Sequence, residues 1–304
     1  MKSIRQFFGS RDDVPGWARF FQPAAFRAFL EALDAELKRR GIAYEMGEGV
    51  VRRTGAEPQE YGVVNLAQIC NQAPRERWSS LVTEHFDRIE RSRSEADGLD
   101  ALGRDYARAQ PLLKVRLYPS DFPVPAGSVR RELAPGLNAA LVYDLPTAIA
   151  LVPPDHVQAW GRSPDDLFGV GLDNVRAEGS STPQATEVGG ATVHALLGNS
   201  FFVASRALLL EGIVKPTPFG AVVAIPHRHA VLFHAIEDRR AVAAIQAMLP
   251  AAFGMFQEGP GSVTSNIYWW RGGVFTHLPA RVTAKTIEFA PPAEFVELVL
   301  NRLS

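Results

Sequence analysis

From residue 111 onward, apolar runs of β character come in pairs separated by short turn-forming stretches, and this pairing limits the fold more than any other feature of the chain. In "LNAALVYDLPTAIALVPPDHV" two such runs flank Leu145-Pro146-Thr147. A connection that short returns the second strand antiparallel, since a parallel neighbour needs a crossover of a dozen residues or so. "FGAVVAIPHRHAVLFHAIED" repeats the arrangement with Pro226 between its halves, and "ATVHALLGNSFFVASRALLL" suggests a hairpin through Gly198-Asn199 that runs into a helix. "SNIYWWRGGVFTHL" and "RVTAKTIEF" add further strands.

Helical segments interrupt these pairs without regular βαβ alternation. "SPDDLFGVGLDNVRAEG" starts with Ser163 as N-cap, Pro164 at the first position and acids in the first turn. Its G-x-G lies inside an already capped helix and lacks a P-loop lysine, so close helix packing explains it better than phosphate binding. "RRAVAAIQAMLPAAFGMF" and "PPAEFVELVLNRL" are further helices. The expected class is α+β, a mainly antiparallel sheet with flanking helices.

Residues 1–110 read as a mainly helical N-terminal region, and 111–304 as the α+β domain; the two are compatible with one compact unit. "QPAAFRAFLEALDAELKRRG" has Pro23 in its first turn, Phe26, Phe29, Leu30, Leu33 and Leu37 on one face, and Gly41 as a stop. "GVVRRTG" is a short strand. "EYGVVNLAQICNQ" and "APRERWSSLVTEHFDRIERS" form two helices broken at Pro74, the second with His85 on its apolar face. A polar helix over 97–109 closes the region.

With 304 residues, 46% of them apolar and 21% charged, and a net charge of −1, the chain has a globular balance and no overall field for nucleic acid or an anionic membrane. The arginine-rich stretch 74–110 is nearly matched by interleaved acids, the pattern of a solvated helix face. Cys70 is the only cysteine, so no intrachain disulfide forms; beside Leu66 and Ile69 it reads as a buried small hydrophobe. No signal-peptide pattern or membrane-spanning run occurs, and the expected location is cytoplasmic.

Chemistry-bearing residues concentrate in "PHRHAVLFH", where His227, His229 and His234 account for three of the seven histidines. On a strand, His227 and His229 share a face and form the H-x-H pair of a metal site, with His234 opposite. Zinc takes three or four protein ligands, and no third ligand is nominated; Pro226 favours a strand start or edge with ordinary, satisfied histidines. Asp144 ends an apolar strand, a general-base position that turn capping explains equally. Ser205 stands where a strand hands over to a helix, a place for a nucleophile and more often for an N-cap. No G-x-S-x-G elbow occurs, and no cofactor is expected. In "NIYWWRGG", alternation puts Tyr268 and Trp270 on one face; with Arg271 they have the composition of an interaction surface, or simply cover a sheet.

The ordered set "LLKVRLYPSDFP", "ALVYDLPTAIALVPPDHVQAWGRSPDDLFGVGLDNVRA", "NSFFVASRALLL" and "AVVAIPHRHAVLFHAIED" resembles the DUF1444 (YtpQ-like) family of bacterial proteins, over roughly residues 111 to 240. The resemblance implies a fold neighbourhood and no mechanism. Asp144 and Ser205 fall on matching positions without an implied catalytic role. The family often has aspartate where His229 stands, so the resemblance does not imply a His227/His229 metal site.

Two readings follow. The first is a non-catalytic binding or regulatory protein that acts through a protein partner or small ligand, without nucleic acid or membrane. The second is a hydrolase or metal-dependent enzyme built on Asp144, His227, Arg228 and His229, with Arg228 holding an anionic group. They part on whether Asp144 comes within hydrogen-bond reach of the histidines.

Overall fold

Every strand pairing among the described residues is antiparallel, in keeping with the α+β expectation. The computed structural model describes residues 14–55, 59–96, 98–179, 182–282 and 287–303. The chain clusters into two units, Met1–Ser94 with Glu258–Pro260, and Glu95–Gln257 with Gly261–Ser304.

In the first unit α1 (Pro23–Arg39) buries the expected stripe of Phe26, Phe29, Leu30, Leu33 and Leu37 and stops at Gly41, whose φ of +66° suits glycine. A three-stranded sheet follows: β1 (Tyr44–Met46), β2 (Val50–Arg53) and β3 (Gln59–Gly62). Glu60–Gly62, expected to open a helix, instead pairs with β2, with Tyr61 opposite Val51; α2 (Val64–Gln72) starts only afterwards. Tyr61 enters the core alongside Val51, a burial that the strand provides. Cys70 is buried and its thiol is pushed up to about 12 by that burial. α3 (Trp78–Ala96) adds Trp78, Val82 and Phe86 to the core. Arg40, buried at the end of α1, donates to Glu36 and Glu90 at 2.6 Å each and also meets Asp87.

The second unit begins with two short helices, α4 (Leu99–Arg104) and α5 (Tyr106–Ala109), where one helix over 97–109 was expected; Asp105, at φ −134°, separates them and caps the second through the Arg108 amide. β4 (Leu113–Tyr118), β5 (Arg130–Ala134), β6 (Leu137–Asp144) and β7 (Ile149–Leu151) form one sheet, with β6 between β4 and β5 and β7 on the end of β6. The β6–β7 hairpin turns through Leu145-Pro146-Thr147, closed by the Leu145 amide on Ala148 O at 2.9 Å. After α6 (Pro154–Trp160) comes α7 (Pro164–Ala177), where Ser163 Oγ accepts from the Asp166 amide at 3.1 Å. Gly171 explains the G-x-G: a Cβ there would lie 2.9 Å from Leu141 and 3.0 Å from Val115.

A six-stranded sheet follows, in the order β13-β12-β10-β11-β9-β8: β8 (Gln184–Val188), β9 (Ala191–Leu197), β10 (Ala221–Ala224), β11 (Ala230–Ala235), β12 (Ile267–Arg271) and β13 (Val274–Leu278). α8 (Arg240–Glu258) lies between β11 and β12 in sequence; the small β14 (Ala280–Val282) and β15 (Ile287–Phe289) pair and α9 (Ala293–Leu298) ends the fold. The expected hairpin through Gly198-Asn199 does not form. β9 pairs backwards with β8 through Gly189-Gly190, both at positive φ, and Phe201–Val203 is a turn, with Phe202 and Val203 buried, into a 3-10 segment, Ala204–Gly212. That apolar run reflects burial, which does not require a strand.

The central strands β10, β11 and β12 of the six-stranded sheet are buried on both faces. One face, with Val223, Val231, Phe233, Tyr268 and Trp270, shares a core with Val115, Leu117, Leu141 and Tyr143 of the first sheet; the other, with Val222, Leu232, Ile267 and Trp269, packs with α8 and α9. The alternation in "IYWWR" therefore stands, but the interaction surface does not. Tyr268 is fully buried and Trp270 only 8% exposed, and Arg271 alone of the three reaches the surface. A strand between two cores needs large side chains on both sides.

Candidate functional site

The segment "PHRH" is a turn between β10 and β11. His227 makes an isolated bridge to Ser262, and Arg228 and His229 are turn residues. Hydrogen bonds fix the state of both rings. His229 Nδ1 faces two carbonyls, Gly198 O at 3.2 Å and Ser200 O at 3.1 Å, so it carries the proton and donates. Its Nε2 accepts from Arg228 Nε at 2.9 Å. His227 Nδ1 accepts from the His229 amide at 3.2 Å, which leaves its proton on Nε2. Burial first, and then the neighbouring charge, push both imidazoles down to about 4. The lone pair of each neutral ring is thus already used, and the rings tie together the turn, the β9 exit and residue 200. Among the described residues, no group of three or more His, Cys, Asp or Glu side chains is placed to hold a metal ion.

Asp144 does not reach either histidine. Its Oδ2 accepts from Lys114 Nζ at 2.6 Å, and Lys114 also meets Glu178. Glu178 in turn accepts from Ser200 Oγ at 2.8 Å, and Ser200 O receives the His229 proton. Asp144 and His229 therefore belong to one polar chain, with Lys114, Glu178 and Ser200 between them. Burial, the largest single influence, lowers the Lys114 amine, but the bonds to Asp144 and Glu178 outweigh it; the net shift is upward and the amine stays charged. A charged amine and a serine whose hydroxyl donates to a carboxylate make a satisfied structural network, which exposes no nucleophile.

Ser205 is fully buried inside the 3-10 segment and does not cap it; the cap position is Val203. Its Oγ has no hydrogen-bond partner among the described residues, so no base activates it. Arg228 is 9% exposed, with its guanidinium 4.5 Å from the centre of the Phe201 ring.

A concave feature of this unit lies elsewhere. A cleft of about 530 Å³ is formed by Thr192 and His194 of β9, Phe233, His234 and Ala235 of β11, Ile213 and Lys215 ahead of β10, and Glu237, Asp238 and Arg240 at the approach to α8. His194 stacks on Phe233, which pairs with it across the strands, at 5.1 Å and 10° between the planes. Its Nδ1 is buried and has no partner among the described residues. His234 donates from Nδ1 to Thr192 O at 2.8 Å, which leaves its Nε2 lone pair free to accept. The rim is charge-balanced: Lys215 pairs with Glu237 at 2.5 Å and Arg240 with Asp238 at 2.6 Å. The bonds from Arg240 draw the Asp238 carboxyl down to about 2.

The sequence marks His234 only as lying opposite the H-x-H pair, and it does not mark His194. The signal was present in "ATVHALL" and "VLFHA", since a histidine inside an otherwise apolar strand needs a polar neighbour or a cavity. What joins them is the β9–β11 register, which the sequence does not state. No helix among the described residues is long and apolar enough to cross a membrane. Comparison with family models, with curated proteins and with solved structures finds no match.

Proposed function

We propose that this chain is a non-catalytic binding protein and that the cleft of His194 and His234 takes its small ligand. The observation that carries this is a concavity lined by His234, whose Nε2 lone pair is unused, and by His194, whose buried Nδ1 has no partner among the described residues. Volume and composition suit a compact molecule: about 530 Å³, an apolar wall of Ile213, Phe233 and Ala235, and a few fixed polar groups. The balanced rim favours a ligand that is neutral or zwitterionic, because a strongly charged one would have to break Lys215–Glu237 or Arg240–Asp238.

The enzyme alternative built on Asp144, His227 and His229 draws no support from the polar chain, in which each of these groups is engaged. We also propose kinship with the DUF1444 family, carried by the ordered segments between residues 111 and 240, and a cytoplasmic location, supported by a lone cysteine that is buried and needs no partner.

The test is ligand-observed NMR on the full chain with mixtures of free amino acids, short hydroxy and keto acids, and nucleosides, repeated on His194→Leu. The expected result is a compound that binds, is recovered unchanged, and binds at least about tenfold more weakly to the variant, the loss of one buried hydrogen bond. Binding unaffected by the variant, conversion of the compound, or no binding from any class would overturn the proposal.

A further inference from the structure

Phe233 of β11, His194 of β9 and Ala185 of β8 are successive register partners, so their side chains rise in one row from the same face of the sheet. The rings of Phe233 and His194 lie within 10° of parallel, with centres 5.1 Å apart. That separation is close to the strand spacing of about 4.8 Å, so the two rings stack along the row. His194 therefore turns one flat side to Phe233 and the other toward β8.

The side chain it meets there is a single methyl group. Ala185 is exposed, like the rest of β8, and its methyl does not rise to the height of an imidazole. Among the described residues, Phe233 is the only ring that stacks on His194. Pro183, just ahead of β8, lines the cleft together with His194 and Phe233, which puts the gap over Ala185 on the β8 side of the cleft.

The polar groups beside this gap accept hydrogen bonds. Glu187, two residues beyond Ala185 and on the same face, takes the Thr192 hydroxyl through one of its two oxygens. His234, in the same cleft, has an unused Nε2 lone pair. Both suit a ligand that brings N–H groups.

We propose that the ligand of this cleft is a flat nitrogen heterocycle with N–H groups, of the nucleobase kind, which stacks on the outer side of His194 above Ala185. The inference rests on the reading of the cleft as a ligand site and names the class of ligand. A flat ring extends the Phe233–His194 stack, a contact that a saturated molecule of the same size cannot make. A neutral ring also leaves the Lys215–Glu237 and Arg240–Asp238 pairs intact.

The experiment measures affinities on the full chain by ligand-observed NMR for uracil, cytosine and adenine, with dihydrouracil and proline as saturated compounds. Dihydrouracil keeps the N–H and carbonyl groups of uracil and lacks its aromatic ring. The series is repeated on Ala185→Leu, which fills the gap, and on Thr186→Leu, which adds the same side chain to the other face of β8. The expected result is that a nucleobase binds tightest, at least about fivefold tighter than either saturated compound. Its affinity should fall at least about tenfold in Ala185→Leu and stay unchanged in Thr186→Leu. The matching nucleoside, titrated alongside, shows by tighter or weaker binding whether the ring is carried on ribose or taken free. A saturated compound that binds as tightly, full affinity in Ala185→Leu, or equal losses in both variants would overturn the inference. The cleft reading survives any of these if the binding still weakens in His194→Leu. If none of these compounds binds, the inference falls; if the wider mixtures also fail to bind, the cleft reading falls with it.

Discussion

Two pairs of histidines in the second unit differ in what their nitrogens do. In the β10–β11 turn, His227 and His229 accept from an amide and from Arg228, and His229 donates to two carbonyls. In the cleft, His234 has one ring nitrogen bonded and His194 Nδ1 is buried with no partner among the described residues. The denser cluster in sequence is therefore the closed one, and the dispersed pair is the open one. Imidazoles locked as neutral tautomers by backbone groups stabilise a turn; imidazoles with unused positions at a concavity are available to a ligand.

The largest expected effect that sharpens this contrast is pH. The imidazoles of His227 and His229 sit near 4 when folded, against an ordinary 6.5. Between those values the unfolded chain binds more protons than the folded one, so protonation favours unfolding. This contribution to stability is present above about pH 6.5 and is lost as pH falls toward 4, by about 2 kcal/mol for each ring once solvent screening of these half-buried groups is allowed for. His85, in the first unit, is held near 4 by the same cause, burial. Amide exchange in β10 and β11, measured from pH 7 to 4, separates the two units; protection there that is independent of pH would break the contrast.

Next in size is His229→Ala, expected to cost about 2–4 kcal/mol because it strips Gly198 O and Ser200 O of their donor and Arg228 Nε of its acceptor. Urea denaturation followed by the β11 amides measures it, and the slope with pH should shrink in the same variant. Gly171→Ala should cost about 1–3 kcal/mol, because its methyl has no room against Leu141 and Val115; the same denaturation checks it. The smallest effect is that of His194→Leu, whose stability should change by less than about 1 kcal/mol while ligand binding is lost. A large loss in this last variant would mean that His194 is structural too.

How much of this was legible follows from how local each cause is. The Ser163 start of α7, the 145–147 turn and the apolar stripe of α1 depend on neighbours within a few residues, and all are present as expected. β5 and β8 carry no comparable signal. Arg130–Ala134 is largely charged and exposed, and Gln184–Val188 is an exposed edge, so each is a strand only because β6 or β9 offers a partner. Exposure was misjudged in "IYWWR" because a second core covers the strand. Of the candidate residues, Asp144 and His229 do lie on one polar chain, but Lys114, Glu178 and Ser200, which connect them, come from three separate elements.

The most direct test is a long-range proton–nitrogen NMR spectrum of the histidine rings of the full chain, followed from pH 8 to 4 and repeated with added zinc. The account predicts His229 protonated on Nδ1 and His227 on Nε2, neither ring titrating until pH nears 4 and neither moving with zinc. Titration of either ring near pH 6.5, the opposite tautomers, or a zinc-induced shift of both would contradict it and make His227 and His229 a candidate active centre again.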